Sequence, residues 1–144
     1  MIRFSDISGN PVMDTSTATA VGKVQAPIVD PVTQTLIGFR VKKSKGPGDV
    51  VLWTGLTGIG PDALTVDSAE RLADPPAEWK RRAGTKLDLI GRIVLTEHGH
   101  LLGKVRDVEF DPADGRVTSL LLRDAFVDGE RLLGIGSHAV VVSG

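Results

Sequence analysis

Residues 103–122 read GKVRDVEFDPADGRVTSLLL, and residues 22–41 read GKVQAPIVDPVTQTLIGFRV. At an offset of 81 the two stretches share Gly22 with Gly103, Lys23 with Lys104, Val24 with Val105, Asp30 with Asp111 and Pro31 with Pro112. Further on, IGPDALTV at 59–66 matches IGSHAVVV at 135–142 at four of eight positions, with an offset of 76. The second copy is therefore five residues shorter between these blocks. Upstream, Gly9 and Val12 align with Gly91 and Val94 once one residue is inserted. Three blocks in one order on both sides make the chain two copies of a single unit, and such a repeat decides the architecture before local propensities do.

Each unit reads as a run of short strands. In the second copy the stretches 91–96, 101–110, 116–123, 131–133 and 139–142 are rich in Val, Ile and Leu and are punctuated by turn residues. Asp111-Pro112-Ala113-Asp114-Gly115 is a hairpin turn: Asp opens it through its side chain, Pro presets φ, and Gly takes the left-handed position. The first copy keeps Asp30-Pro31 but has Thr33-Gln34 in place of Asp114-Gly115, which predicts a looser or differently built hairpin. Arg106-Asp107 interrupts the alternation of the long strand, and a bulge there lets the strand curl. Many short strands favour a barrel or sandwich over a layered α/β fold.

Helical signals fall between the copies. Asp67-Ser68 can cap a helix over Ala69–Ala73, and Asp74 a second one begun by Pro75-Pro76 and running toward Ala83, with Gly84 ending it. The expected organisation is a first repeat over 1–70, a helical, basic connector over 71–86 and a second repeat over 87–144. These segments carry net charges of −1, +3 and −3.

Composition narrows the chemistry. The chain has 144 residues, no Cys and no Tyr, which removes thiolate nucleophiles and zinc sites built on sulfur. Its scarce aromatics argue against a base-stacking surface. A formal charge of −1 provides no bulk field to attract polyanions. No apolar run approaches the roughly 20 residues of a membrane span, and the N-terminus has no signal-peptide pattern. The expectation is a cytoplasmic protein.

Gly91, the Leu102–Val108 strand, the Phe110-Asp111-Pro112…Gly115 turn and Leu133-Gly134-Ile135-Gly136 together resemble the PRC-barrel family, the β-barrel unit of the photosynthetic reaction-centre H subunit and of the ribosome-maturation factor RimM. The first copy retains Val21-Gly22-Lys23-Val24, Asp30-Pro31 and Ile59-Gly60. The resemblance implies an all-β protein of two small PRC-barrel-like barrels related by the internal repeat. It also implies a docking surface rather than a catalyst. The chain lacks the membrane helix of the H subunit and the aromatic pair that precedes the RimM barrel.

Several residues compete for functional roles. Lys42, Lys43 and Lys45 flank Gly46-Pro47-Gly48 on what reads as a projecting loop, and Arg81 and Arg82 add a basic patch in the connector; both can contact phosphates through a salt-sensitive term. Trp79 among those charges either tucks the connector onto a barrel or anchors a partner. Trp53 reads as a core residue. Glu97-His98-Gly99-His100 suits Zn or Ni if a fourth ligand such as Asp107 or His138 converges on it; the simpler reading is a solvated turn with Gly99 at its tip. Ser137 and His138 lack any nucleophile-elbow motif, and the glycines of 55–60 lack the Lys-Ser/Thr of a phosphate cradle.

The sequence therefore predicts a non-catalytic, cofactor-free adaptor or assembly module whose partner is another protein. It is either a monomer with pseudo-twofold halves or a homodimer. An RNA- or ribosome-associated factor and a metal protein built on His98 and His100 are the alternatives. Gly22, Asp30, Pro31, Gly103, Asp111, Pro112, Gly115, Gly134 and Gly136 are assigned to turn geometry.

Overall fold

The computed structural model of the chain describes residues 1–75, 77 and 89–144. The first half contributes β1 (Ile2–Arg3), β2 (Pro11–Asp14), β3 (Thr19–Asp30), β4 (Thr35–Lys42), β5 (Val50–Leu52), β6 (Gly58–Ile59), β7 (Leu64–Val66) and β8 (Leu72–Ala73). The second contributes β9 (Ile93–Thr96), β10 (Leu101–Lys104), β11 (Asp107–Phe110), β12 (Val117–Leu121), β13 (Phe126–Asp128), β14 (Leu132–Ile135) and β15 (Ala139–Val142). The fold is all-β, and no helix of seven residues or more occurs among the described residues.

The repeat is reproduced strand for strand. In the first half one sheet runs β6-β7-β2-β3-β4-β5-β8. The second half makes the same pairings apart from β5–β8, in two sheets, β10-β9-β15-β14 and β1-β11-β12-β13, the latter joined by β1 of the first half. They separate because the long strand is interrupted at Val105-Arg106, beside the pair whose sequence predicts a bulge; the first copy carries a register shift there, between Val24 and Ala26. Val12 lies opposite Gly22 on one side and Leu64 on the other, as Val94 lies between Gly103 and Val140. In both halves the strand pair outside the hairpins, β2–β7 and β9–β15, is parallel. The Gly9 N–H donates to Val24 O at 2.9 Å, and the equivalent Gly91 N–H donates to Val105 O at 2.8 Å.

The two halves do not form separate cores. One apolar cluster runs from Phe4 and Val12 through Phe39 and Val51 to Phe110, Leu120 and Val142. Phe39 lies at its centre, with ring centroids 6.2 Å from Phe4, 6.2 Å from Phe110 and 6.5 Å from Trp53, distances at which aromatic pairs attract beyond their buried area. Strand β1, at the start of the chain, pairs with β11 of the other half. At the centre of the contact, Thr35 bridges its counterpart Arg116. The Leu36 N–H donates to Gly115 O at 2.7 Å, and the Val117 N–H donates to Gln34 O at 2.9 Å. Reciprocal bonds between equivalent positions are the mark of a twofold contact, so the halves are related by a pseudo-twofold axis inside one chain.

Three expectations change. The first hairpin is not looser: Gln34 adopts φ +59 where Gly115 has φ +79. Its N–H donates to Asp30 O at 2.8 Å, as that of Gly115 does to Asp111 O at 2.8 Å. A glutamine tolerates this conformation because its Nε2 donates across the axis to Glu130 O at 2.8 Å and Leu132 O at 2.9 Å. The helix expected over Ala69–Ala73 is a single 3-10 turn, Ala69–Arg71, capped by Ser68; Leu72–Ala73 then pairs with β5 because burial of Leu72 outweighs helix propensity. The lysine loop does not project. The Gly48 N–H donates to Leu72 O at 2.9 Å, and a Cβ on Gly46 or Gly48 would come within 2.2 and 2.1 Å of the backbone of Ala69 and Ala73.

Candidate functional site

Each half organises its β2- or β9-type hairpin around one buried polar side chain, and these two are equivalent. Asp14 accepts bonds from the Ser16 hydroxyl at 2.6 Å and from the Ser16, Thr17 and Ala69 amides. The Ser16 hydroxyl above all, together with those amides, holds its carboxyl below the usual aspartate range. Thr96 takes the same place in the second half, its hydroxyl accepting from the His98 N–H at 3.3 Å and the His100 N–H at 3.1 Å.

That geometry makes residues 97–100 a turn. Gly99 turns at φ +84, and both imidazoles are exposed. His98 faces Glu97 at 3.7 Å, and among the described residues no group of three His, Asp or Glu side chains is placed to hold a metal ion. Ser137 and His138 are both exposed in the β14–β15 turn. Asp111 accepts the Ala113 N–H at 2.9 Å, the bond Asp30 makes with Val32, so the paired aspartates serve the two turns. Gly22, Gly103 and Gly134 do not sit in turns: they lie within β3, β10 and β14, where a Cβ on Gly22 would come within 2.2 Å of Val41 Cγ1, Gly103 takes φ +139 and Gly134 faces open space; Gly136 has only Ala139 O nearby, at 3.9 Å.

Lys42, Lys43 and Lys45 are exposed and make no ion pair among the described residues. Trp79, Arg81 and Arg82, and the helix expected from Pro75 toward Ala83, lie outside the described residues apart from Pro75 and Ala77. Trp53 is half-buried: its ring stands edge-on to Phe110 with centroids 6.1 Å apart and lies over Gly115, as the core reading requires.

A cavity of about 360 Å³ opens between the halves, lined by Phe4, Ser5, Ser8, Gln25, Arg106 and Asp107 among others. Its carboxylate is engaged: Asp107 accepts the Ser5 N–H at 3.0 Å and the Ser5 hydroxyl at 2.5 Å, tying the N-terminal turn to the second half.

Sequence reasoning missed the exposed apolar side chains of the second half. Leu101 and Leu102 on β10, Phe126 on β13 and Leu133 on β14 all stand out from the surface. Their signal lay in the repeat itself: Leu102 and Phe126 align with Val21 and Val50, which are buried. No helix among the described residues is long and apolar enough to cross a membrane.

No curated protein matches the chain. The family model of the PRC-barrel domain matches residues 87–144, which carry the interrupted long strand, the Asp111–Gly115 turn and the β14–β15 hairpin. The second half of the chain is a PRC-barrel domain, and the first half repeats its strand plan.

Proposed function

We propose that the chain is a non-catalytic, intracellular assembly module that binds another protein through its PRC-barrel half. The observation that carries this reading is the exposure of Leu102 and Phe126 at positions whose first-half counterparts are buried. Burying apolar surface is the main driving force of association, and aromatic anchors dominate interface energies. The ordered polar groups support the same reading, because Asp14, Thr96, Asp107 and Asp111 are engaged in holding turns and inter-half contacts.

The test is affinity purification from the native cell with the full chain and with a Leu102→Ser/Phe126→Ser double variant. A partner recovered by the first and lost with the second is the expected outcome. A partner set unchanged by the double variant overturns the reading. The RNA alternative draws support from the three unpaired lysines, and its test is a salt-dependent mobility shift abolished by Lys42→Glu/Lys43→Glu/Lys45→Glu.

A further inference from the structure

We infer that the outer edge of β13 accepts an extended strand from a partner protein, aliphatic at its centre and basic at its ends. The inference rests on the protein-binding reading above and adds where the partner sits and what it looks like. The first half shows the arrangement in completed form. There β5, the counterpart of β13, is paired on its outer side by β8, with Val51 opposite Leu72 and Val50 opposite Ala73. Leu72 is fully buried in the shared core. The loop before β5 seals the same end: the Lys45 N–H donates to Val21 O at 2.9 Å, and the Gly48 N–H donates to Leu72 O at 2.9 Å.

The second half lacks both parts of this cover. Its loop is cut to Arg123-Asp124, closed by the Leu122 N–H donating to Ala125 O at 2.8 Å. Among the described residues β13 pairs with β12 and with no strand on its other side. Leu102 is 40% exposed where Val21 is 4%, and Phe126 is 63% exposed where Val50 is 2%. Phe126 lacks the apolar company of its counterpart, because Glu109 and Thr118 replace the Ile28 and Ile37 that accompany Val50. An unpaired sheet edge is a template for another strand, and proteins that do not use it blunt it with Lys, Pro or a bulge. β13 is three residues long and ends in Asp128, but it carries no Lys, Pro or bulge.

An incoming antiparallel strand completes what β8 does elsewhere. Its aliphatic residue covers the end where Leu102 lies, and the adjacent residue lies beside Phe126; main-chain bonds supply affinity and these side chains specificity. Charge selects the ends of the occupant. Asp124, Asp128 and Glu130 are exposed around the edge and make no ion pair among the described residues, and Arg123 is the only cation within residues 123–130. Basic flanks relieve that excess of carboxylates.

The experiment follows backbone amide shifts of the full chain as a synthetic peptide, Lys-Lys-Arg-Leu-Ala-Lys-Lys, is added; its centre copies Arg71-Leu72-Ala73. Saturable shifts at Phe126, Val127 and Asp128 are expected. Binding should weaken by about tenfold or more when the peptide Leu is replaced by Asp, in the Phe126→Ser variant, and in Asp124→Lys/Asp128→Lys. Phe126 is exposed, so its variant should keep the parent spectrum away from β13; if it does not, the charge-reversal variant and the peptide control decide alone. No shift at β13 up to millimolar peptide, or equal binding of the Asp-substituted control, overturns the inference. β13 shifts that grow with protein concentration alone assign the edge to a second copy of the chain and overturn it as well. Peptide failure alongside recovery of a partner dependent on Leu102 and Phe126 sinks the strand-addition inference and leaves the assembly reading standing. Failure to recover any such partner sinks the assembly reading itself.

Discussion

The two halves share a hydrogen-bond skeleton and differ in what they leave open. Gly60 N–H to Ala63 O and Gly136 N–H to Ala139 O are both 3.0 Å, and Val41 N–H to Asp49 O at 2.7 Å matches Leu122 N–H to Ala125 O at 2.8 Å. Yet the first half closes its β5 edge with its own loop and strand, whereas the second leaves β13 and Phe126 exposed. At the axis the divergence is complementary. Gln34 reaches the 3-10 turn that begins at Gly129, and Trp53, the counterpart of Gly129, lies over Gly115. Trp53 meets a glycine of the other copy, and Gln34 bonds the carbonyls one and three residues beyond Gly129. The Trp53–Gly115 match suits two unlike copies, since two copies of the first kind would place Trp against Gln and two of the second would leave the space empty.

Breaking the shared core should have the largest effect. Phe39→Ala removes the ring that touches Phe4, Trp53 and Phe110, and should cost about 3–5 kcal/mol in denaturant unfolding. Fluorescence of the tryptophans and far-UV circular dichroism should report one coincident transition; two separated transitions would show that the halves hold independent cores. Next come the axis contacts. Gln34→Ala keeps the left-handed strain and strips the bonds to Glu130 and Leu132, so it should destabilise by about 1–3 kcal/mol. Gln34→Gly relieves the strain and should cost less than Gln34→Ala. If the alanine variant is the more stable of the two, Gln34 does not hold the axis as described.

The buried polar pair separates the halves by pH. The carboxyl of Asp14 titrates below its unfolded value, so its contribution is present above that value and is lost as pH falls through the folded value. Thr96 does not titrate. The Tm of the parent should therefore fall on acidification by more than that of Asp14→Asn, and protection of the Ser16, Thr17 and Ala69 amides should fade before that of His98 and His100. Equal loss in both turns would break this distinction. The smallest effect belongs to the lysine loop: charge reversal at Lys42, Lys43 and Lys45 should change stability by less than about 0.5 kcal/mol, because none is buried or paired.

Sequence alone determined the repeat, the all-β class and the turn chemistry, because Asp30-Pro31 and Asp111-Pro112 act through bonds two and four residues away. It also located the irregularity of the long strand beside Arg106-Asp107. Local patterns could not say that Gln34 would take the glycine conformation, since the bonds that permit it come from residues 96 and 98 positions away. Nor could they turn Leu72–Ala73 from helix into strand, because that choice depends on Leu72 being buried against the β5 edge. The single core, the β1–β11 pairing and the uncovered β13 were decided only by tertiary structure. Each depends on which surfaces meet across the pseudo-twofold axis, and distance along the chain carries no information about that.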